Sequence, residues 1–194
     1  IAKQEELVIL LKEKRCSAIS HIVTNGLDAK APTKESNYEW LSSVPKHWEV
    51  KTLRHIGNCQ NGINIGASFF GSGFPFFSYS DIYNNDKLPK VGSGLVQSTK
   101  TDRKAYSVKE GDVFFTRTSE TIDDIGMAST CFEEVKNATF AGFLIRFRPD
   151  VNKLHTNFAR FYFRSKLVQS FFIGEMNLVT RASLSQDLLK KLPV

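Results

Sequence analysis

Apolar residues recur at spacings of three and four near the start of the chain: Val8, Leu11, Ala18, Ile19 and Ile22 fall on one side of a helix. Glu5, Glu6, Lys12, Glu13 and Lys14 take much of the remaining surface. No Gly or Pro interrupts residues 1–23, and Asn25-Gly26 supplies a stop, because glycine readily takes the left-handed backbone that ends a helix. At about 1.5 Å per residue the helix spans roughly 34 Å. It either packs on its own domain or pairs with another long helix. Residues 24–45 are polar and turn-rich, with Gly26, Pro32 and Pro45, and read as a linker or an extended crossing segment.

From Trp48 onward the pattern changes to short runs of β-branched and aromatic residues, predicting strands at 50–53, 74–79, 112–116 and 142–148. In the last, Phe143, Ile145 and Phe147 alternate with Leu144, Arg146 and Arg148, which predicts a half-buried strand with basic residues on its open face. Residues 157–173 carry Phe158, Phe161, Tyr162, Leu167, Val168, Phe171 and Phe172 as a helical apolar stripe, with Arg160, Arg164 and Lys166 facing elsewhere. A shorter helix is expected at 184–191, with Ser183 as its N-cap. The fold class is therefore α+β: a strand-rich domain with packed helices, preceded by a long helix. The expected division is a helix at 1–28, a linker and approach to the domain at 29–49, and the domain itself at 50–194. The chain opens on Ile1 inside a helical pattern and stops at Leu192-Pro193-Val194, which reads like the start of a strand, so it reads as a fragment that continues at both ends.

Composition narrows the classes. The 194 residues are 41% hydrophobic and 24% charged, enough to bury a core and too ordered in pattern for a disordered chain. No apolar run approaches the roughly 18 residues of a membrane span, so no membrane partner is expected. The net charge of +6 allows a polyanionic partner without requiring one. Cys16, Cys59 and Cys131 lie far apart and unpatterned, which predicts reduced thiols and a cytoplasmic location. His21, His47, His55 and His155 never fall at ligand spacing, so no metal site is expected.

Enzyme signatures fail in turn. There is no phosphate-binding loop, Gly71-Ser72-Gly73 lacks the third glycine of a dinucleotide site, and no Gly-x-Ser-x-Gly elbow occurs. None of the six prolines is paired, so the Asn/Asp-Pro-Pro-aromatic motif of an amino-group methyltransferase is missing. A permissive nuclease-like spacing does occur: Asp123 or Asp124 with Glu134-Val135-Lys136, and also Asp81 or Asp86 with Asp102-Arg103-Lys104. A metal-dependent nuclease is therefore an alternative reading.

The polar loops offer more. After the apolar run 112–116 the chain presents Arg117, Thr118, Ser119 and Thr121, hydrogen-bonding groups on one rigid edge that suit base edges and phosphates. A second cluster is Ser78, Tyr79 and Ser80 with Asn84. The third, Thr180, Arg181 and Ser183, lies before a helix N-terminus, where anions are favoured. Lys100, Arg103 and Lys104 make a basic run suited to phosphate contact. Each can also be read as a solvated loop or face. Trp40 and Trp48 and the sixteen Phe read as core anchors before stacking platforms.

Five stretches then carry a resemblance: 10–28 (LLKEKRCSAISHIVTNGLD), 38–53 (YEWLSSVPKHWEVKTL), 111–126 (GDVFFTRTSETIDDIG), 158–165 (FARFYFRS) and 181–194 (RASLSQDLLKKLPV). In this order the chain resembles the specificity subunit of type I restriction–modification systems. The resemblance implies one target recognition domain plus one conserved helix, about half a subunit. It also implies that the domain reads one half of a split double-stranded DNA sequence. On this reading the chain is not an enzyme and holds no cofactor; the competing class is an enzyme, either a metal-dependent nuclease or a fragment of a fused restriction–methylation enzyme. S-adenosylmethionine, ATP and Mg²⁺ belong to the methyltransferase and restriction subunits that are its partners. With the second conserved helix absent, two copies are expected to pair through Val8, Leu11, Ala18, Ile19 and Ile22 as an antiparallel coiled-coil homodimer.

Overall fold

The first helix, α1 (Ala2–Asn25), stops at the glycine signal: Gly26 has φ +78° and its amide donates to the Ile22 carbonyl at 2.9 Å. The structure is a computed structural model that describes residues 2–38, 41–119, 121, 124–150, 152–175 and 182–194. Trp40 lies outside the described residues. The span read as a linker contains an antiparallel hairpin, β1 (Thr33–Tyr38) with β2 (Leu41–Pro45), in the register Thr33↔Pro45. Its Leu41 and Val44 are buried, and β2 packs on the last turns of α1. The polar composition hid this hairpin because its backbone pairing, not an alternating apolar face, makes it a strand pair.

The domain that follows contains β3 (Gly57–Asn61), β4 (Phe70–Phe77), α2 (Tyr79–Tyr83), β5 (Gly94–Val96) and α3 (Lys100–Ala105). Then come β6 (Val113–Thr116), β7 (Thr118–Ser119), β8 (Ala128–Thr130), β9 (Thr139–Phe140) and β10 (Leu144–Pro149). The chain closes with α4 (Thr156–Tyr162), α5 (Lys166–Glu175), β11 (Ala182–Ser183) and α6 (Gln186–Lys191). The central sheet has the order β3-β10-β6-β8, antiparallel throughout, and a smaller sheet has the order β5-β4-β9.

The central sheet is covered on both faces. Val113, Phe115, Ile145 and Phe147 pack against Tyr162, Phe163, Phe171 and Phe172 of the helical layer, and Ile19 and Val23 bring the end of α1 onto it. Phe114 and Leu144, on the opposite face, pack against Phe76, Phe77, Val96 and Phe140 of the smaller sheet. Successive residues point to opposite sides of a strand, so Phe114 and Phe115 serve two different cores.

This double cover corrects the expectation of an open basic face on 142–148. Leu144, Ile145, Arg146 and Phe147 are all buried, and β10 begins only at Leu144. Arg146 donates to the Ser107 carbonyl at 2.6 Å and to Gln60 Oε1, with its guanidinium 5.4 Å from the Phe140 ring centroid. Burial, followed by the neighbouring Arg148 charge, lowers its pKa to about 10. Arg148 forks onto Asp112.

Other boundaries shift for local reasons. The strand expected at 50–53 reduces to a bridge of Thr52 with Pro193, followed by a 3₁₀ turn at Leu53–His55. The helix expected at 157–173 is two helices, α4 and α5, broken after Tyr162, where the Ser165 amide donates back to the Tyr162 carbonyl at 2.9 Å. The cap of α6 is Ser185, whose Oγ accepts from the Leu188 amide at 3.0 Å, while Ser183 lies in β11. No helix among the described residues is long and apolar enough to cross a membrane.

Candidate nucleic-acid interface

The end of the central sheet where β6 stops is the point at which most of the polar candidates meet. Arg117 follows β6 and is held by backbone on two sides: its amide donates to the Phe143 carbonyl at 3.0 Å, and its carbonyl accepts from the Leu184 amide at 2.7 Å. Thr118 and Ser119 pair as β7 with Ser183 and Ala182 of β11. Two distant stretches, 117–119 and 182–184, thus become one short ribbon. Arg117 is half-buried, and its guanidinium makes no hydrogen bond or ion pair with any described residue. Thr180 and Arg181 lie outside the described residues.

The hydroxyls divide by use. The Thr121 amide donates to Ser119 Oγ at 3.2 Å, and Thr121 Oγ1 donates to Asp124 at 2.7 Å, so these two groups shape their own loop. Asp124 also accepts from the Tyr83 hydroxyl of α2, and this bond and the carboxylate charge raise the Tyr83 pKa. Tyr79 stacks on Tyr83, ring centroids 5.8 Å apart. Helix α2 is thereby tied to the 117–124 loop, and its exposed Ser80 and the Asn84 that ends it lie at the same end of the sheet. Ser78 caps α2: Asp81 accepts from both its amide (2.8 Å) and its hydroxyl (2.9 Å), and from the Ser93 hydroxyl at 2.7 Å.

Arg164 fixes α2 from below. From the break between α4 and α5 it donates to the carbonyls of Ala128 (2.5 Å), Ile82 (2.8 Å), Tyr83 (2.8 Å) and Asn85 (3.1 Å). Its burial lowers its pKa. The neighbouring Arg160 donates to both oxygens of Asp86 at 2.9 and 3.1 Å, and Arg15 of α1 approaches the same carboxylate at 3.9 Å. The helical pattern sets both arginines away from the apolar stripe without giving them partners. Their targets are backbone carbonyls and an aspartate 36 to 82 residues away, which only folding brings within reach.

The basic run on α3 occupies a different place. Thr99 and Asp102 cap α3, with the Thr99 hydroxyl 2.6 Å from the carboxylate it holds below the usual range. Arg103 stacks over Phe74 at 3.6 Å and donates to the Ser98 carbonyl. Lys100 and Lys104 are exposed. Arg103 thus lies over the middle of β4, whereas Ser78 leaves the end of that strand.

The nuclease-like spacings find no support. Asp124 and Glu134-Val135-Lys136 lie beyond opposite ends of β8, and Asp123 is outside the described residues. In the second match Asp81 and Asp102 cap helices and Asp86 pairs with Arg160. No three His, Cys, Asp or Glu side chains among the described residues gather as a metal site.

The family model for the type I restriction modification DNA specificity domain matches residues 45–194. The fold has solved counterparts. A chain from a structure on complex assembly and conformational transition of the type I R-M system aligns with TM-score 0.59 and 14% identity, over 100% of this chain and 43% of that one. The HsdS subunit from Thermoanaerobacter tengcongensis aligns with TM-score 0.58 and 14% identity, over 98% and 42%. The type I restriction–modification S subunit from M. genitalium aligns with TM-score 0.53 and 13% identity, over 97% and 44%. No curated protein sequence matches the chain.

The chain belongs to the type I restriction modification DNA specificity domain family. It spans less than half the length of the solved structures it matches.

Proposed function

We propose that this chain is a sequence-specific DNA reader that recognises one half of a bipartite duplex target for a type I restriction–modification complex. The observation that carries the reading is the convergence at one sheet end of Arg117 and Thr118, Ser80 and Asn84 of α2, and Ser183 of β11. Arg117 is backed by backbone hydrogen bonds and its guanidinium has no partner among the described residues, so it is available to fork onto a guanine in the major groove. The hydroxyl and amide groups around it suit base edges, and Lys100 and Lys104, farther along the domain, suit phosphates. The chain supplies recognition alone; methyl transfer and cleavage, with S-adenosylmethionine, ATP and Mg²⁺, belong to methyltransferase and restriction subunits.

The helix α1 supports a second part of the reading, its pairing with a copy of itself. Only its last turns are covered by the domain, while Leu7, Val8, Ile9, Leu10 and Leu11 are each about half exposed. Beside its other end lies an apolar groove of about 690 Å³ lined by Ile19, Ile22, Leu27, Trp48, Phe158 and Phe161. An antiparallel two-fold pair sets Val8 against Ile22 and Leu11 against Ile19, so each copy's exposed run meets the other's groove.

Selection of duplexes from a randomised library by the 194-residue chain tests the main reading. Enrichment of one short motif is expected. Uniform recovery of all sequences would leave a non-specific polyanion binder and overturn it.

A further inference from the structure

Phe143 is the most exposed phenylalanine among the described residues, at 65%, although the residues just before and after its turn, Phe140 and Leu144, are fully buried. Its exposure is not a loose end of a mobile loop. The Leu144 amide closes the turn on the Ala141 carbonyl at 3.0 Å, and the Ala141 amide donates to the Phe77 carbonyl at 3.0 Å. Gly62 packs so closely beneath that a Cβ there would lie 2.1 Å from the Ala141 carbonyl oxygen. A Cβ on Gly142 would meet the Asn64 side chain at 1.9 Å. The turn is seated on backbone, and folding gains nothing from the phenyl ring it holds in water.

The neighbour of that ring gives it a partner. The last registered pair between β10 and β6 is Leu144↔Thr116, and the ladder continues one step to Phe143 and Arg117 through the 3.0 Å bond from the Arg117 amide. Directly opposed residues of an antiparallel pair have Cβ atoms about 4.5–5.5 Å apart. Successive bases along a DNA strand rise by about 3.4 Å. The two side chains therefore address the same base pair or adjacent ones. Among major-groove features, the thymine 5-methyl group is the apolar one, and phenylalanine is among the side chains that contact it.

We propose that Phe143 is a specificity-determining residue that reads a thymine methyl group beside the base pair addressed by Arg117. The inference rests on the DNA-reading function above. A single exposed apolar side chain is ordinary on a protein surface. This one differs because it stands on a braced turn at the sheet end that carries the polar candidates, opposite the Arg117 guanidinium, which has no partner among the described residues.

The test uses the motif enriched from the randomised library, remade with uracil in place of each thymine in turn. Uracil lacks only the methyl group. With the unchanged chain, one such replacement is expected to weaken binding about fourfold, the scale of one buried methyl group. Phe143→Ala should weaken the thymine duplex by at least as much and be indifferent to that replacement; Phe143→Leu should keep part of the discrimination. Indifference of the unchanged chain to every replacement, or equal discrimination by Phe143→Ala, would overturn the assignment while leaving the DNA-reading function standing. So would a Phe143→Ala chain that binds DNA normally and fails to assemble with a methyltransferase subunit. Failure to enrich any motif would overturn both.

Discussion

The guanidinium of Arg148 forks onto the fully buried carboxylate of Asp112, Nε to Oδ1 and a terminal nitrogen to Oδ2, each at 2.6 Å. The same guanidinium reaches the Ser107 carbonyl at 2.9 Å, and Arg146 reaches that carbonyl from the next position on the strand face. Two arginines and one aspartate thus tie β10 to the loops before β6. Asp112→Ala leaves two positive charges facing each other without the intervening carboxylate. Breaking a buried pair in this way typically costs about 3–5 kcal/mol. A urea titration of the variant should show its midpoint fall by the corresponding amount with an unchanged slope; a midpoint within error of the parent would mean that the pair contributes nothing net.

Base reading and phosphate holding separate by substitution. Arg117→Ala should lower affinity for the selected motif by about 1–3 kcal/mol and relax preference at one position. Lys100→Ala should lower affinity for all duplexes alike and reduce the salt dependence by about one counterion. Competition between the motif and a scrambled duplex distinguishes them. If Arg117→Ala leaves that ratio unchanged, Arg117 is a phosphate or structural residue.

Self-association through α1 has a direct measurement. Burying one Leu or Ile side chain contributes about 1.5–3 kcal/mol, so several half-exposed apolar residues favour a dimer. Light scattering across a concentration series should show twice the chain mass, and Leu11→Glu with Ile22→Glu should return it to the monomer. A dimer unmoved by the double change would assign assembly to another surface.

The thiols should react unequally. Burial raises the pKa of Cys59 to about 11 and that of Cys131 to about 12, whereas Cys16 is exposed on α1. At pH 8 a thiol reagent should modify one cysteine quickly in the folded chain and all three after unfolding. The sign for stability follows from proton binding. Between pH 9 and 11 the unfolded chain loses these protons while the folded chain keeps them, so stability falls as pH rises through that window. A chain whose unfolding midpoint is flat from pH 8.5 to 10.5 would show that the two thiols ionise alike in both states.

What local chemistry dictates was legible in the sequence. The helix that ends at Gly26 and the apolar run that becomes β6 each depend on neighbours a few positions away. The α+β class and the family resemblance followed from order and spacing along the chain. Tertiary structure decided the rest. Alternation in 142–148 predicted one open face, but a second sheet closes over it, burying Arg146 and leaving Phe143, read as the apolar side of a strand, in solvent. Arg164 had no partner in the helical pattern because its four carbonyl partners lie 36 to 82 residues away. Ser78 looked like a reader and caps a helix, since its hydroxyl is taken up by Asp81 and Ser93 once β4 and the chain before β5 come together. The ribbon of β7 with β11 joins residues more than 60 positions apart. Side-chain patterns record which residues avoid water within one element; which elements meet is set by packing between them, and that is where Arg117 acquires Phe143 as its neighbour.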